Sequence, residues 1–346
     1  MTNVRYPRAL AAHDLITVPA PSMGVPADLH ARLDRAVNDL EERGFTVDVG
    51  QYARRGGLVP APAAERRVEL LAAFVGPARA VLPPWGGELA IELLEQLDWS
   101  AMAADPKWFV GWSDISTLLM PLTIVTGVAT LHGANLMDEQ WELPTEFRRW
   151  SEVAALSEGE SFAQFAAPRR RSRPWGAWAD EPLNRDAAYE TTTGWRALGS
   201  DAGSETTVSM RGRLIGGCLE TVSLLAGSRF GDVPGFARRH APEGVIVYLE
   251  VAEADASTAL RLLWSLRLAG WFSHATGILI GRTEAPDVDG LSQLEAVESA
   301  LGGLGIPVIV DFDLGHQPPQ MPLVNGALAE VELTDGRGRI TQYFVP

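Results

Sequence analysis

The chain has 346 residues, 46% hydrophobic and 21% charged, which excludes disordered, collagen-like and coiled-coil classes and, at roughly 100 to 200 residues per domain, fits about two domains. Lys and Arg number 29 against 44 Asp and Glu, and a formal charge of −15 repels a phosphate backbone, so nucleic acid is not an expected partner. The single cysteine, Cys218, can make neither an internal disulfide nor a multi-thiolate zinc site and fits a reducing compartment. The longest apolar stretch, 117–131, is broken by Pro121 and Gly127 and falls short of the roughly 18 to 20 residues a bilayer span needs. Arg5 and Arg8 could open a signal peptide, but His13 and Asp14 interrupt the apolar run behind them, so a cytoplasmic protein with no membrane contact is expected.

In chain order, L-I-T-V-P-A-P-S (15–22) reads as a buried strand and its exit loop. Leu29, Leu33, Val37 and Leu40 recur at helical spacing, Gly44 sits where a C-cap glycine belongs, and F-T-V-D-V (45–49) follows as a strand. The alternation continues with a helix over 65–75, a strand over 79–82, a helix over 88–97, a strand over 108–111, a helix over 115–125 and a strand over 128–132. Such alternation predicts an α/β domain over 1–136, a doubly wound parallel sheet of flavodoxin or Rossmann type. Periodicity then fades over 137–210, which reads as a long insertion or linker and a candidate lid. From 211 to 346, strands over 213–219, 245–250, 277–280, 308–312, 327–333 and 340–344 and helices over 257–268 and 291–301 predict a C-terminal α+β domain.

The segment P-K-W-F-V-G-W-S-D-I-S (106–116) runs an apolar strand into Ser113 and directly into a helix. Such an elbow projects a hydroxyl from the C-terminal edge of a parallel sheet, with the next amide, that of Asp114, aimed at whatever the oxygen attacks. Ser116 replaces the closing glycine of G-x-S-x-G, and serine is equally a favoured helix N-cap. A nucleophile needs a base, and six histidines are available. His13 precedes the first strand; His30, His240 and His274 read as surface residues, whereas His132 and His316 each follow an apolar strand and face the edge where sites collect. For the carboxylate that orients an imidazole, Glu250, at the end of V-I-V-Y-L-E, competes with Asp311 and Asp313. The P-P-W-G-G-E turn (83–88) lets backbone amides approach a substrate oxygen. The sequence carries no H-E-x-x-H, no P-loop, no cysteine pair and no dinucleotide fingerprint after the first strand, so no metal and no cofactor are expected.

Taken together, A-P-S at 20–22, W-G-G at 85–87, D-P-K-W-F-V-G-W-S-D-I-S at 105–116, R-L-I-G-G-C-L at 213–219, V-I-V-Y-L-E at 245–250 and D-L-G-H at 313–316 resemble the LD-carboxypeptidase family of serine peptidases over nearly the whole chain. The long insertion and the G-A-N-L that follows His132 look closer to the microcin C self-immunity peptidases than to the muramoyl-tetrapeptide carboxypeptidases of cell-wall recycling. The resemblance implies a triad of Ser113, Glu250 and His316 and an oxyanion hole on the amides of Gly87 and Asp114. It further implies a metal-independent cytoplasmic homodimer acting on a peptide or peptide-nucleotide small molecule. Three departures from the family pattern stand near the site: Cys218 in place of an asparagine, Val251 in place of a second acid, and Ala134 in place of a proline. Trp175, Trp178 and Trp195, with Arg169 to Arg171, are the expected substrate-facing groups of the lid, and Cys218 joins them as a substrate-binding candidate. The competing readings are a muramoyl-tetrapeptide LD-carboxypeptidase of cell-wall recycling, a family member that binds a small molecule without catalysis, and an esterase or amidase acting on a small metabolite.

Overall fold

The computed structural model describes residues 3–139, 142–172, 183, 188–199 and 207–346. Among them, the first third of the chain alternates strands and helices: β1 (Leu15–Val18), α1 (His30–Glu42), β2 (Thr46–Val49), α2 (Ala63–Val75), β3 (Ala80–Val81), α3 (Trp99–Ala104), β4 (Trp108–Gly111), α4 (Ser116–Thr126) and β5 (Thr130–His132). The five strands pair in parallel in the order β5-β4-β3-β1-β2, as the alternating pattern predicts. α1 buries Leu33, Ala36 and Leu40 on one face and ends at Gly44, whose φ of 90° suits glycine.

The helix expected over 88–97 is not continuous. Only a 3-10 turn forms at Ala90–Leu93, and α3 starts afresh after Asp98, whose carboxylate accepts from the amides of Ser100 and Ala101. α4 has no solvent face from Ser116 to Ile124 and lies between the two halves of the molecule, against β4 and β5 on one side and against the following strand and helices on the other.

The 137–210 stretch is more ordered in its described part than a linker. It supplies α5 (Trp150–Ala154), β6 (Ser161–Phe165), β7 (Arg169–Arg171), β8 (Tyr189–Thr192) and β9 (Arg196–Ala197), and the next strand, β10 (Thr207–Cys218), begins before its end. β7 and β8 form a separate antiparallel ribbon, while β6 and β9 become the two edges of the second sheet. The rest of the chain gives α6 (Leu219–Val222), α7 (Val233–His240), β11 (Val245–Glu250), α8 (Ala256–Leu268), β12 (Ala275–Gly281), α9 (Gln293–Leu301), β13 (Val308–Phe312), β14 (Leu323–Asn325), β15 (Leu328–Thr334) and β16 (Arg337–Tyr343). The eight-stranded sheet has the order β6-β16-β15-β10-β11-β12-β13-β9, parallel from β10 to β13 and antiparallel outside that centre. The architecture is therefore mixed α/β with two parallel-centred sheets.

β14 leaves its sequence neighbours and pairs antiparallel with β5, closing the first sheet as its sixth strand. Asn325 sits at this crossing, fully buried. Its Oδ1 accepts from the amide of Gly216 at 3.1 Å and from the hydroxyl of Tyr248 at 2.8 Å, both in the second sheet. Its Nδ2 donates to Thr130 Oγ1 in the first sheet at 3.1 Å. Among the described residues no helix is long and apolar enough to cross a membrane.

Asn325→Ala strands the Gly216 amide and the Tyr248 hydroxyl without acceptors, and a loss of about 3 kcal/mol in urea denaturation is expected. Adding Tyr248→Phe to that variant should recover part of the loss, and strictly additive losses in the double-mutant cycle would show that the two side chains are not coupled.

Candidate active site

β4 delivers its chain to Trp112 and then to Ser113, which adopts φ 55° before the 3-10 turn Ser113–Ile115 leads into α4. A non-glycine residue at positive φ is strained and persists where the surroundings over-determine it. The N-cap of α4 is Ile115 and not Ser113. Its Oγ lies 3.2 Å from Nε2 of His316, and His316 Nδ1 lies 2.9 Å from Glu250 Oε2. The hydroxyl comes from the first sheet, whereas the carboxylate ends β11 and the imidazole follows β13 in the second.

Each member is held by its neighbours. Glu250 is fully buried, and the left-handed Gly315 beside it leaves no room for a side chain: a Cβ there would lie 2.7 Å from Glu250 Cβ and 2.9 Å from its Oε2. The glycine of D-L-G-H therefore lets the loop fold over the carboxylate. The imidazole of His316 stacks on the Trp112 indole with centroids 4.2 Å apart and planes at 24°. Trp112 is oriented in turn by Nε1–H donation to Asp138 Oδ2 at 2.8 Å, and Asn135 Nδ2 donates to the same oxygen at 3.2 Å. Burial pulls the imidazole pKa of His316 down, but the charge and hydrogen bond of Glu250, with the charges of Asp138 and Glu220, outweigh it and leave the pKa raised.

The side chain of Asp114 has a separate task from its amide. It is buried, and its carboxylate accepts from Ser22 Oγ at 2.5 Å, from the Ala90 amide at 2.8 Å and from Thr117 Oγ1 at 3.3 Å. One carboxylate thus ties the exit loop of β1, the end of the W-G-G turn and the start of α4 around Ser113. Burial raises its pKa despite these bonds. In the W-G-G turn, a Cβ on Gly86 would lie 2.8 Å from Ser113 Cβ and 2.9 Å from its Oγ. Gly87 takes φ 134°, and a Cβ on it would lie 2.4 Å from Ser22 Oγ.

Ser113 and His316 line a cavity of about 530 Å³, walled by Met23, Trp85, Gly86, Gly87, Trp112 and Ala252 and by three acids, Glu88, Asp138 and Glu253. No Lys or Arg lines it among the described residues. Burial, and then the charges of Asp114 and Glu253, push the Glu88 carboxyl up.

The other candidates fall elsewhere. His132 is buried edge-on to the Tyr248 ring, and burial with the nearby charge of His316 lowers its pKa to about 3, so it stays neutral. His240, expected at the surface, is buried and stacked on Phe236, and its ring would lie 2.7 Å from a Cβ on Gly127. Asp311 pairs with Arg196, and Asp313 is buried against Arg282, the Ala167 amide and Trp195 Nε1, so neither serves His316.

Trp195, expected to face a ligand, is instead in the core: 1% exposed, stacked on Phe312 at 4.2 Å and bonded to Asp313. Cys218 is likewise buried, outside the cavity wall, with its thiol donating to Glu220 Oε2 at 3.3 Å. Trp175 and Trp178 lie outside the described residues. Asp138 and Glu220 were not singled out in the sequence, and Ser22 and Asn135 entered only as members of the A-P-S and G-A-N-L motifs.

A hydroxyl, an imidazole and a buried carboxylate thus stand in one hydrogen-bonded line at the cavity. A family model described as the LD-carboxypeptidase N-terminal domain matches residues 16–133, and one described as the LD-carboxypeptidase C-terminal domain matches 211–331. The chain belongs to the LD-carboxypeptidase family. The microcin C7 self-immunity protein MccF of Escherichia coli is 25% identical over 345 residues, covering 94% of this chain and 92% of its own. The fold is similar to that of MccF in complex with aspartyl sulfamoyl adenosine, at TM-score 0.78 and 22% identity over 98% of this chain and 99% of that one. It is also similar to that of the muramoyltetrapeptide carboxypeptidase of Oxalobacter formigenes, at TM-score 0.71 and 20% identity over 96% and 99%.

Gly86→Ala drives a methyl group against the Ser113 side chain without touching the sheets. The rate at which a fluorophosphonate labels Ser113 should fall by roughly 10- to 100-fold while the circular dichroism spectrum is kept. An unchanged labelling rate would show that the turn yields freely.

Proposed function

We propose that this protein is a serine peptidase that hydrolyses an amide bond through an acyl-enzyme, with Ser113 as nucleophile, His316 as general base and acid, and Glu250 as the carboxylate that orients the imidazole. The observation that carries the reading is the pair of hydrogen bonds, 3.2 Å from Ser113 to His316 and 2.9 Å from His316 to Glu250, opening on one cavity. His316 Nε2 takes the hydroxyl proton as Ser113 Oγ bonds to the amide carbon, and the carbonyl oxygen becomes an oxyanion. The amides of Gly87 and Asp114 receive that oxyanion, and one such donor is worth about 2.7 to 4 kcal/mol of barrier. The carbon–nitrogen bond then breaks as His316 returns the proton to the leaving amine. Water attacks the ester in the second half, giving its proton to His316, and the acid departs as the Ser113 hydroxyl re-forms.

The substrate class is a peptide or an aminoacyl-nucleotide-like conjugate of the microcin C type. An acidic wall of Glu88, Asp138 and Glu253 supports this, because a free ammonium beside the scissile amide meets carboxylates there. The reading includes a cytoplasmic homodimer whose chemistry needs no metal.

Mass spectrometry tests it directly, with wild type and Ser113→Ala each incubated with an aspartyl-nucleotide amide and an L-centre/D-alanine muropeptide. Cleavage of the nucleotide conjugate by wild type alone is the expected outcome. Cleavage of the muropeptide instead assigns cell-wall recycling, and cleavage of neither leaves the non-catalytic homologue as the better account. The base works as neutral imidazole, and its raised pKa places the acid limb of kcat/KM above the ordinary imidazole value of about 6.5. Activity falls below that limb, and a flat profile down to pH 5 would remove His316 from the mechanism. A chelator should leave the rate unchanged, and inhibition reversed by added metal would overturn the metal-free scheme.

A further inference from the structure

Glu220 stands in α6, two residues past Cys218, and in the parallel register of β10 and β11 Cys218 lies opposite Glu250. Its Oε1 accepts from three successive amides, Ala252 at 2.9 Å, Glu253 at 3.0 Å and Ala254 at 2.9 Å, all in the loop that leaves Glu250. Its Oε2 accepts from the Cys218 thiol. Three consecutive N–H groups converging on one oxygen form an anion nest, and a carboxylate is the side chain that offers such a nest only acceptors. Ala252 and Glu253 form part of the cavity wall beside Ser113.

We propose that Glu220 is a positioning residue that clamps the Ala252–Ala254 wall of the cavity and adds a second negative charge behind Glu250 in support of the protonated His316. This rests on the reading of Ser113 and His316 as nucleophile and base. Among the described residues, the charged and titratable groups around the imidazole are Glu250 from β11, Asp138 from the segment after β5, Glu220 from α6 and the neutral His132 of β5, with Glu88 and Glu253 lining the same cavity. The Cys218 thiol donates to Glu220 of α6 and stands opposite Glu250 of β11, and burial with the charges of both carboxylates keeps it protonated, so it adds no charge of its own. Clamp and charge are separable functions. Glu220→Gln keeps an oxygen for the three amides and loses the charge, whereas Glu220→Ala loses both.

The test uses the full chain and two readouts that need no natural substrate: the imidazole titration of His316 by NMR, assigned with His316→Gln, and the pH dependence of Ser113 labelling by a fluorophosphonate. In Glu220→Gln the His316 midpoint should move down by about half a pH unit, and the acid limb of labelling should move with it. The labelling plateau should fall about threefold in Glu220→Gln and roughly thirtyfold in Glu220→Ala, where the wall is released. An unmoved midpoint in Glu220→Gln overturns the charge role, and a wild-type plateau in Glu220→Ala overturns the clamp. Should Glu220→Ala fail to fold, Glu220→Asp, which keeps the charge and shortens the reach, takes its place: a lowered plateau with an unmoved midpoint supports the clamp, and an unchanged plateau overturns it. If wild type is not labelled at all, the hydrolase reading fails by that result, while the NMR titration still decides the charge role of Glu220.

Discussion

Everything in this molecule that concerns the site depends on one crossing of the chain between its two sheets. β14 belongs to the first sheet and β15 to the second, and only Gly326 and Ala327 lie between them. Asn325 spends its side-chain hydrogen bonds on both sides of that crossing, while the Gly326 amide donates to the Leu214 carbonyl at 2.7 Å. The serine hydroxyl is carried by one sheet and its hydrogen-bonded imidazole by the other. A Ser–His distance of 3.2 Å is therefore a statement about how the sheets are docked as much as about either loop.

Around that docking the chain places buried carboxylates at loop junctions. Asp114 gathers three segments about the elbow, Asp138 sets the indole on which the imidazole rests, and Glu250 fixes the imidazole itself. Each of these groups would be costly to bury alone; Asp114 is met by three donors and Asp138 by two, while Glu250 meets the imidazole through Oε2, and such pairing is the condition under which buried polar groups rigidify a site. The fully buried Arg66 extends the same pattern: it reaches the carbonyls of Pro21, Ala61 and Leu89, and so braces the loops on either side of Asp114 from beneath.

Much of this was legible in the sequence because the signals were local. The first parallel sheet followed from period and alternation, and Ser113, Glu250 and His316 stood out as polar residues at the ends of apolar runs. What could not be read was set by partners far away in the chain. Ser22 and Asp114 are 92 residues apart, and Trp195 and Asp313 are 118 apart. No spacing rule shows that an indole expected to face a ligand will instead stack on Phe312. The broken 88–97 helix failed for a related reason: its periodicity is helical, but Asp98 is a better cap than an interior residue, and the Ala90 amide is taken by Asp114. The edge strands β6 and β9 were hidden because edges need little hydrophobic signal of their own.

α4 begins three residues after the serine and is enclosed from Ser116 to Ile124 by both halves of the protein. Here α4 packs on β4 and β5 of the sheet that carries Ser113 and on β10 of the sheet that carries Glu250 and His316, so its side-chain volume bears on the docking of the two sheets and on the Ser113–His316 spacing. The helix therefore couples the packing of the interior to the geometry of the candidate site.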